Sequence, residues 1–326
     1  MQKEKQTDKK IKISRWELLR WKRDCERADL RDIEVVTVGK RAFFSRWRLE
    51  EIFLPKLTAI KAQAFKGCKR LRYVELLENA PIGISASVFE KCRRLQKVEH
   101  MENATSIGAR AFADCTHLGE VAFGKSLRRI GESAFLHCKS LAALSLPAGV
   151  EQVGKNAFRG CWELRDVSFD VGFRTLGEGM FRECISLSSL SLPPLLTAIP
   201  KSAFRDCSAL ETVEIDGDVL SVGASAFRGC RHLQNVRISL GTRSIGAFAF
   251  ANTPDLTCVS LPHSIKKIGF GAFGLGKSTK KTVISVEEEY MLRRLRRLLF
   301  FSGSLWRVEL RMDGKTVDQR KRERYM

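Results

Sequence analysis

The sequence predicts a repeat solenoid with one short parallel β-strand per unit, stacked along a single axis. Three observations predict this class. A phenylalanine recurs eleven times, at steps of 22, 24 and then eight times 23 residues. Cysteine and leucine follow the phenylalanine at fixed spacings, and each unit closes with alternating apolar and polar residues. The anchor phenylalanines are Phe43, Phe65, Phe89, Phe112, Phe135, Phe158, Phe181, Phe204, Phe227, Phe250 and Phe273.

The unit from Ile130 to Pro147 shows the full pattern, I-G-x-x-A-F-x-x-C-x-x-L-x-x-[LV]-x-[LIF] followed by a turn. The L-x-x-L-x-L stretch predicts a short strand with one buried face. The Gly-x-x-Ala-Phe segment is too short for a full helix and predicts a turn or a 3₁₀ piece. Parallel stacking at about 4.8 Å per unit predicts a sheet of about 50 Å.

This pattern resembles the leucine-rich repeat family, and within it the BspA-like class with its A-F-x-x-C-x-x-L units. The resemblance covers residues 38–276, about three quarters of the chain. It implies a curved solenoid with its strands on the concave side, and a binding or adhesion module. Many members of the class resemble surface or secreted proteins of microbes.

Three regions follow from the pattern: an N-terminal basic segment with a capping helix (1–37), the eleven repeat units (38–276) and a C-terminal cap with a basic tail (277–326). A capping box at Ser14 and Glu17 predicts a helix over 15–28, either a cap or a docking helix for a partner. At the other end we expect a strand over 282–286, a helix over 287–301 and a last strand over 305–310. The second helix is basic and amphipathic, so it is either a cap or a site for a membrane or a calmodulin-like protein.

Composition narrows the compartment and the class of partner. The net charge is +20, and residues 277–326 hold 14 basic and seven acidic residues. The start of the chain has no apolar segment typical of a secretory signal, and no apolar run reaches the length of a membrane span. We therefore expect an intracellular protein, cytoplasmic or nuclear, and a monomer. Residues 319–326 are expected to be a disordered basic tail.

Eight of the ten cysteines occupy one repeat slot, three residues after the anchor, and predict a buried packing ladder. Metal binding needs convergent thiolates, so no metal site is expected. Cys258 lies outside this slot and is the expected free thiol. The ladder residues are Cys68, Cys92, Cys115, Cys138, Cys161, Cys184, Cys207 and Cys230.

Two features suggest catalysis but do not support it. Residues 271–278 match the phosphate-loop pattern G-x-x-x-x-G-K-[ST], yet the first three belong to the eleventh unit, and a strand rather than a helix is predicted after them. The five histidines occupy different repeat slots and do not converge with a nucleophile and an acid. We expect no enzyme activity and no cofactor.

The residue after the anchor is arginine in four consecutive units, Arg159, Arg182, Arg205 and Arg228. Stacked at about 5 Å, these charges would repel each other without counter-ions. Glu183 and Asp206 occupy the next slot. The row is therefore either a partly paired, solvated face or a site for nucleic acid or another polyanion.

The outward positions of the predicted strands form a mildly acidic face with a small, polar middle. Phe53 and Tyr73 are the expected aromatic anchors for a partner. The candidate contact residues are Phe53, Tyr73, Glu75, Lys97, Glu99, Glu120, Asp166, Glu214 and Arg237.

The sequence thus favours a protein-interaction scaffold whose partner is a basic or neutral polypeptide. Polyanion binding through the arginine row and the tail is the alternative, and it would depend strongly on salt. Adhesion at a cell surface, which rests on the resemblance alone, is a third interpretation.

Overall fold

The computed structural model describes residues 11–13, 25–31, 35–54, 59–76, 81–238, 240–274, 282–286, 289–301, 308–312 and 315–316. Over these residues the chain winds into a solenoid with two rows of parallel strands, joined by turns. The predicted fold class is confirmed. A second row of strands, which the sequence analysis did not predict, is added to it.

The first row, the long-strand row, carries the L-x-x-L-x-L segments. Leu144 and Leu146 are buried while Ala143 and Ser145 are exposed, so the predicted alternation is confirmed. The row consists of three sheets: Arg27–Asp29, Glu51–Phe53, Tyr73–Glu75 and Lys97–Glu99; then Ala143–Leu146 and Asp166–Phe169; then Thr212–Ile215, Asn235–Ile238, Cys258–Ser260, Thr282–Val286 and Val308–Met312.

The second row, the short-strand row, precedes the Gly-x-x-Ala-Phe turn. Most of its strands have two residues, too few for a periodic sequence signal. Its first sheet contains Ile11–Ile13, Val35–Val38, Ala59–Ile60, Ile82–Ile84, Ala104–Ile107, Arg129–Ile130 and Gln152–Val153, and its second contains Ala198–Ile199, Ser221–Val222, Ser244–Ile245 and Lys267–Ile268.

A glycine after the buried Ile or Val lets the backbones of successive units approach closely. A Cβ atom on Gly131 would lie 2.5 Å from the amide nitrogen of Ala109 and 2.6 Å from the carbonyl carbon of Gly108. Real Cβ atoms are not found so near backbone atoms, so Gly131 cannot be replaced at this spacing without a shift of the neighbouring unit. Lys61, Ser85 and Pro200 occupy the same position in three other units.

The anchor phenylalanines form one continuous stack through the core. Neighbouring rings have centroids 4.9 to 5.9 Å apart and interplanar angles of 3° to 22°. Full burial of one such side chain contributes about 1.5 to 3 kcal/mol. The repeat period therefore reflects the need to place one ring on the next.

The ladder cysteines run beside this stack, and all eight are buried and free. Each Sγ donates a hydrogen bond to the carbonyl oxygen of the anchor in the preceding unit, at 3.0 to 3.5 Å. Burial raises the pKa of the Cys138 thiol well above its usual range and that of Cys207 to about 12. These contacts agree with the packing role predicted for the ladder cysteines.

The segment around each anchor is a tight turn, as predicted. The amide of Cys138 bonds to the carbonyl of Phe135, and that of Leu136 to the carbonyl of Ser133. Positive φ angles occur two residues before and two residues after the anchor, as at Ser133 (φ 54°) and His137 (φ 58°). The only 3₁₀ segment in the described residues is Met101–Asn103, outside these turns.

The N-terminal end differs from the prediction of a helix over 15–28. Arg27–Asp29 is a strand that pairs in parallel with Glu51–Phe53, so an additional turn of the solenoid replaces the end of that helix. Residues 14–24, which include the capping box, lie outside the described residues. The local helical spacing of apolar residues was misleading because strand pairing decides the structure at 27–29.

The C-terminal end agrees with the prediction in most respects. The strand Thr282–Val286 extends the long-strand row, and helix α1 spans Glu289–Phe301. Leu295 and Leu299 are fully buried, and α1 contacts Lys267–Ile268 of the short-strand row and Thr282–Val286 of the long-strand row, near the end where a cap would lie. The strand expected over 305–310 is Val308–Met312, and a further strand, Lys315–Thr316, pairs with it in antiparallel orientation. The tail at 319–326 lies outside the described residues.

In the part of the chain that the structure describes, no helix has the length and hydropathy that crossing a bilayer requires.

Candidate partner-binding surface

The long-strand row presents the outward residues that the sequence analysis selected for partner binding. Asp166, Glu214 and Arg237 are exposed, whereas Glu75 and Lys97 are half-buried. The row is interrupted twice in the described residues, at the unit that contains Glu120 and at residues 189–192. The second interruption retains a single bridge, between Ser191 and Glu214.

Phe53 is the one predicted contact residue that is buried, with 8% of its surface exposed. The guanidinium carbons of Arg27 and Arg31 lie 4.6 and 4.7 Å from the centroid of its ring, and the Tyr73 ring lies 5.8 Å away. The strand Arg27–Asp29 and the turn that follows it bring these arginines over the ring. The prediction of Phe53 as an open aromatic anchor is therefore wrong, because an unforeseen turn of the solenoid covers it.

The N-terminal part of the row is a chain of internal ion pairs. Lys97 Nζ lies 2.8 Å from Glu99 and 3.3 Å from Glu120, and the hydrogen bond with Glu99 raises the pKa of Lys97. The Tyr73 hydroxyl donates to Glu75 at 3.2 Å, and burial together with the Glu75 charge raises the pKa of Tyr73. A partner at this end would have to displace these contacts, so it is a poor primary site.

The second interruption of the row forms an open cleft of about 300 Å³. Residues 189–192 line one side of the cleft, and Thr212, Glu214 and Asp216 line the other. Its lining is Ser189, Leu190, Ser191, Leu192, Thr212, Glu214 and Asp216. The two carboxylates are exposed, and the neighbouring hydroxyl groups both donate and accept hydrogen bonds. Glu214 is predictable from the sequence but the cleft is not, because the loss of strand pairing at 189–192 has no periodic signal.

A second open cleft, of about 520 Å³, lies on the short-strand row. Gly108, Gly131 and Gly154 line it together with the strand residues beside them. Its described lining contains one charged residue, Arg129, so it offers shape but few groups for specific recognition.

The predicted arginine row is a paired face. Arg159 donates two hydrogen bonds to Glu183, at 2.9 and 3.2 Å, and Arg205 donates to Asp206 at 3.1 Å. Arg182 Nε also lies 3.1 Å from Glu183, without the alignment of a hydrogen bond. Burial acts to raise the pKa of Glu183, but the Arg159 and Arg182 charges lower it overall.

Arg228, the fourth member of the arginine row, lies over the Phe248 ring, with its guanidinium carbon 5.8 Å from the ring centroid. Three of the four arginines thus lie in ion pairs with their own neighbours, and Arg159 and Arg182 share the single carboxylate of Glu183. This geometry favours the paired face over the polyanion site.

The described residues contain no group of three or more His, Cys, Asp or Glu side chains that could hold a metal ion. His137 lies 3.0 Å from Asp114 in a half-buried contact, and His232 lies 3.2 Å from Asp255 on the surface. Cys258 is exposed, as predicted. In the phosphate-loop match, 271–274 belong to the turn of the eleventh unit, 275–278 lie outside the described residues, and the next described element is the strand Thr282–Val286.

A family model for the BspA type leucine rich repeat region, in six copies, matches residues 36–165, 82–211, 151–282 and 197–305. These overlapping matches run from 36 to 305, more than four fifths of the chain. No curated protein matches the chain significantly.

Several solved structures are similar to this chain. A leucine-rich repeat protein from Bacteroides ovatus ATCC 8483 is 19% identical, with 85% of this chain and 87% of that chain covered and a TM-score of 0.45. A leucine rich cell surface protein from Faecalibacterium prausnitzii A2-165 is 19% identical, with 91% and 90% covered and a TM-score of 0.43. The pneumococcal vaccine antigen PcpA is 17% identical, with 86% and 84% covered and a TM-score of 0.43. Such low identities and TM-scores say nothing about what this chain binds.

Proposed function

This chain belongs to the BspA-type leucine-rich repeat family, and we propose that it is a non-catalytic scaffold that binds a polypeptide through the long-strand row. Proteins of this family are generally interaction or adhesion modules. A solenoid presents a long regular surface of repeated outward positions, which suits an extended partner.

The observation that carries the proposal is the cleft at the second interruption of the row. It combines a concave shape with the exposed carboxylates of Glu214 and Asp216 and the hydroxyls of Ser189, Ser191 and Thr212. The N-terminal end of the row, in contrast, is occupied by its own ion pairs. The cleft is thus a concave part of the row whose polar groups are available to a partner.

The chemistry of the cleft favours an extended peptide segment with a Lys or Arg side chain. Two carboxylates accept hydrogen bonds from a cationic head group, and charge-assisted bonds of this kind are stronger than neutral ones. Arg237 lies opposite Glu214 in the strand register, which makes the next unit unfavourable for a second cation. We therefore expect a basic residue followed by neutral or acidic residues in the bound segment.

A displayed library of random short peptides, selected on the full chain, tests the proposal. Selected peptides should be enriched in Lys or Arg at one position and should bind in an anisotropy titration. The double variant Glu214→Lys, Asp216→Lys should lose at least ten-fold in affinity, since it removes both acceptors and adds repulsion.

The matched control is Glu132→Lys, Glu151→Lys, which makes the same change of charge at exposed positions away from the long-strand row. Loss of binding in the cleft variant with retention in the control supports the proposal. Equal loss in both variants, or selected peptides without basic residues, contradicts it. The intracellular location expected from the sequence stays a prediction.

A further inference from the structure

A second surface lies at the turn between each anchor phenylalanine and the following long strand. Residues four and five positions after the anchor occupy this turn in every unit. In the first six units these positions hold two tryptophans and six Lys or Arg side chains, together with Thr116, His117, Ser140 and Glu163. We call six of them the basic edge: Trp47, Lys69, Arg70, Arg93, Arg94 and Trp162.

Contacts across successive units show that this edge is continuous. The Thr116 hydroxyl donates to the carbonyl of Arg93 at 3.1 Å, and the Ser140 amide donates to the carbonyl of Thr116 at 3.2 Å. In the next step, Lys139 Nζ lies 3.7 Å from the centroid of the Trp162 ring. Residues about 23 positions apart in the sequence are therefore neighbours along one line.

The charge of the edge is largely unbalanced. Lys69, Arg70, Arg93 and Arg94 are exposed. Arg70 lies 3.9 Å from Glu50, whereas the described residues include no acid within ion-pair distance of the other three. This differs from the arginine row, where Glu183 and Asp206 supply counter-charges. The basic edge is thus the better anion-binding surface.

One tryptophan lies in the unit before Lys69 and the other lies three units after Arg94, with 55% of Trp47 and 42% of Trp162 exposed. Arg48 lies over the Trp47 ring at 4.6 Å, and Lys139 lies over the Trp162 ring. A cation over the ring holds its orientation, and a large exposed aromatic side chain is a typical hot spot for binding.

We propose that the basic edge binds single-stranded nucleic acid, with phosphates on the Lys and Arg side chains and bases stacked on Trp47 and Trp162. Single-strand binders combine a positive track for the backbone with aromatic side chains that stack on bases. Six units at about 4.8 Å per step span about 24 Å, a length that a few nucleotides can cover. Duplex DNA has no free base face for the rings, and a sulfated polysaccharide would use the charges alone.

The test is fluorescence anisotropy of a labelled oligothymidylate with the full chain at two salt concentrations. The variant Trp47→Leu, Trp162→Leu should lose about ten-fold or more in affinity, and the tryptophan quenching that accompanies binding should fall with it. The variant Lys69→Glu, Arg93→Glu should weaken binding and reduce the slope of log affinity against log salt by about 0.7 for each lost phosphate contact.

The control Lys266→Glu, Lys267→Glu makes the same change of charge at exposed residues on the far end of the short-strand row. Circular dichroism confirms that each variant is folded. Absence of oligothymidylate binding at low salt overturns the proposal, and so does an equal loss in the control. The proposal is also overturned if the tryptophan variant keeps its affinity for oligothymidylate and the chain binds heparin or duplex DNA as tightly, because binding would then depend on charge alone.

Discussion

The phenylalanine stack leads to a prediction about position within the repeat array. Phe135 is fully buried and has three aromatic neighbours: Phe112 at 5.0 Å, Phe158 at 5.0 Å and Phe123 at 5.7 Å. Each aromatic pair contributes about 0.5 to 1.5 kcal/mol beyond the burial of its area. Phe135→Leu keeps most of the apolar volume but removes all three pairs. The free energy of unfolding should therefore fall by about 1.5 to 4.5 kcal/mol.

The matched variant is Phe43→Leu at the first anchor. Phe43 is also buried, with 3% exposed, but among the described residues it stacks on a single ring, Phe65, at 4.9 Å. The decrease in the free energy of unfolding of Phe43→Leu should be smaller by the contribution of two aromatic pairs, about 1 to 3 kcal/mol. Urea unfolding followed by circular dichroism measures both values, provided that the slope against urea is unchanged. Equal losses in the two variants would refute the idea that neighbour contacts along the stack set the stability.

Three further predictions concern other parts of the core. Burial acts to raise the pKa of Glu90, but hydrogen bonds from Lys66, Ser87 and Arg110 lower it to about 2, from an ordinary value of 4.5. The ionised Glu90 contributes about 3 kcal/mol of stability, which is present above pH 4.5 and lost as the pH falls towards 2. Glu90→Gln should therefore lower the free energy of unfolding at pH 7 but not in acid. Urea unfolding of both proteins at the two pH values measures this difference. Gly131→Ala should destabilise the fold by about 1 to 3 kcal/mol, because its Cβ clashes with the preceding unit. Gly119→Ala should change the melting temperature little, because no neighbouring atom lies within 4 Å of its Cβ. Similar losses of stability in the two variants would exclude the close approach as the reason for the glycine. Ellman's reagent should modify Cys258 rapidly in the folded chain and the ladder cysteines only after unfolding, because burial suppresses formation of the reactive thiolate. Rapid modification of many thiols in the folded chain would contradict the buried ladder.

The fold could be predicted from the sequence where a pattern repeats. The strand Thr282–Val286 and the alternation in Ala143–Leu146 follow from period-two patterning, and the buried cysteines follow from a fixed slot. The short-strand row could not be predicted, since a strand such as Arg129–Ile130 contains no period. The strand Arg27–Asp29 was missed because tertiary pairing overrides a local helical pattern.

The candidate surfaces were less predictable than the fold. The exposure of Glu214 and Arg237 follows from strand alternation, but the burial of Phe53 depends on Arg27 and Arg31, whose positions needed the structure. The cleft arises where strand pairing between neighbouring units is lost, and no sequence motif marks that position. The basic edge escapes a linear motif search because its residues are separated by whole repeats and meet only after the chain has stacked.

Hydrogen–deuterium exchange of the full chain, with and without a selected basic peptide, tests the central claim most directly. The claim is that the interruption of the long-strand row binds a polypeptide. The predicted result is slower exchange on peptide addition, confined to residues 189–192 and 212–216, which line the cleft. Protection over the short-strand row instead, or no protection by a peptide that binds, would contradict the claim.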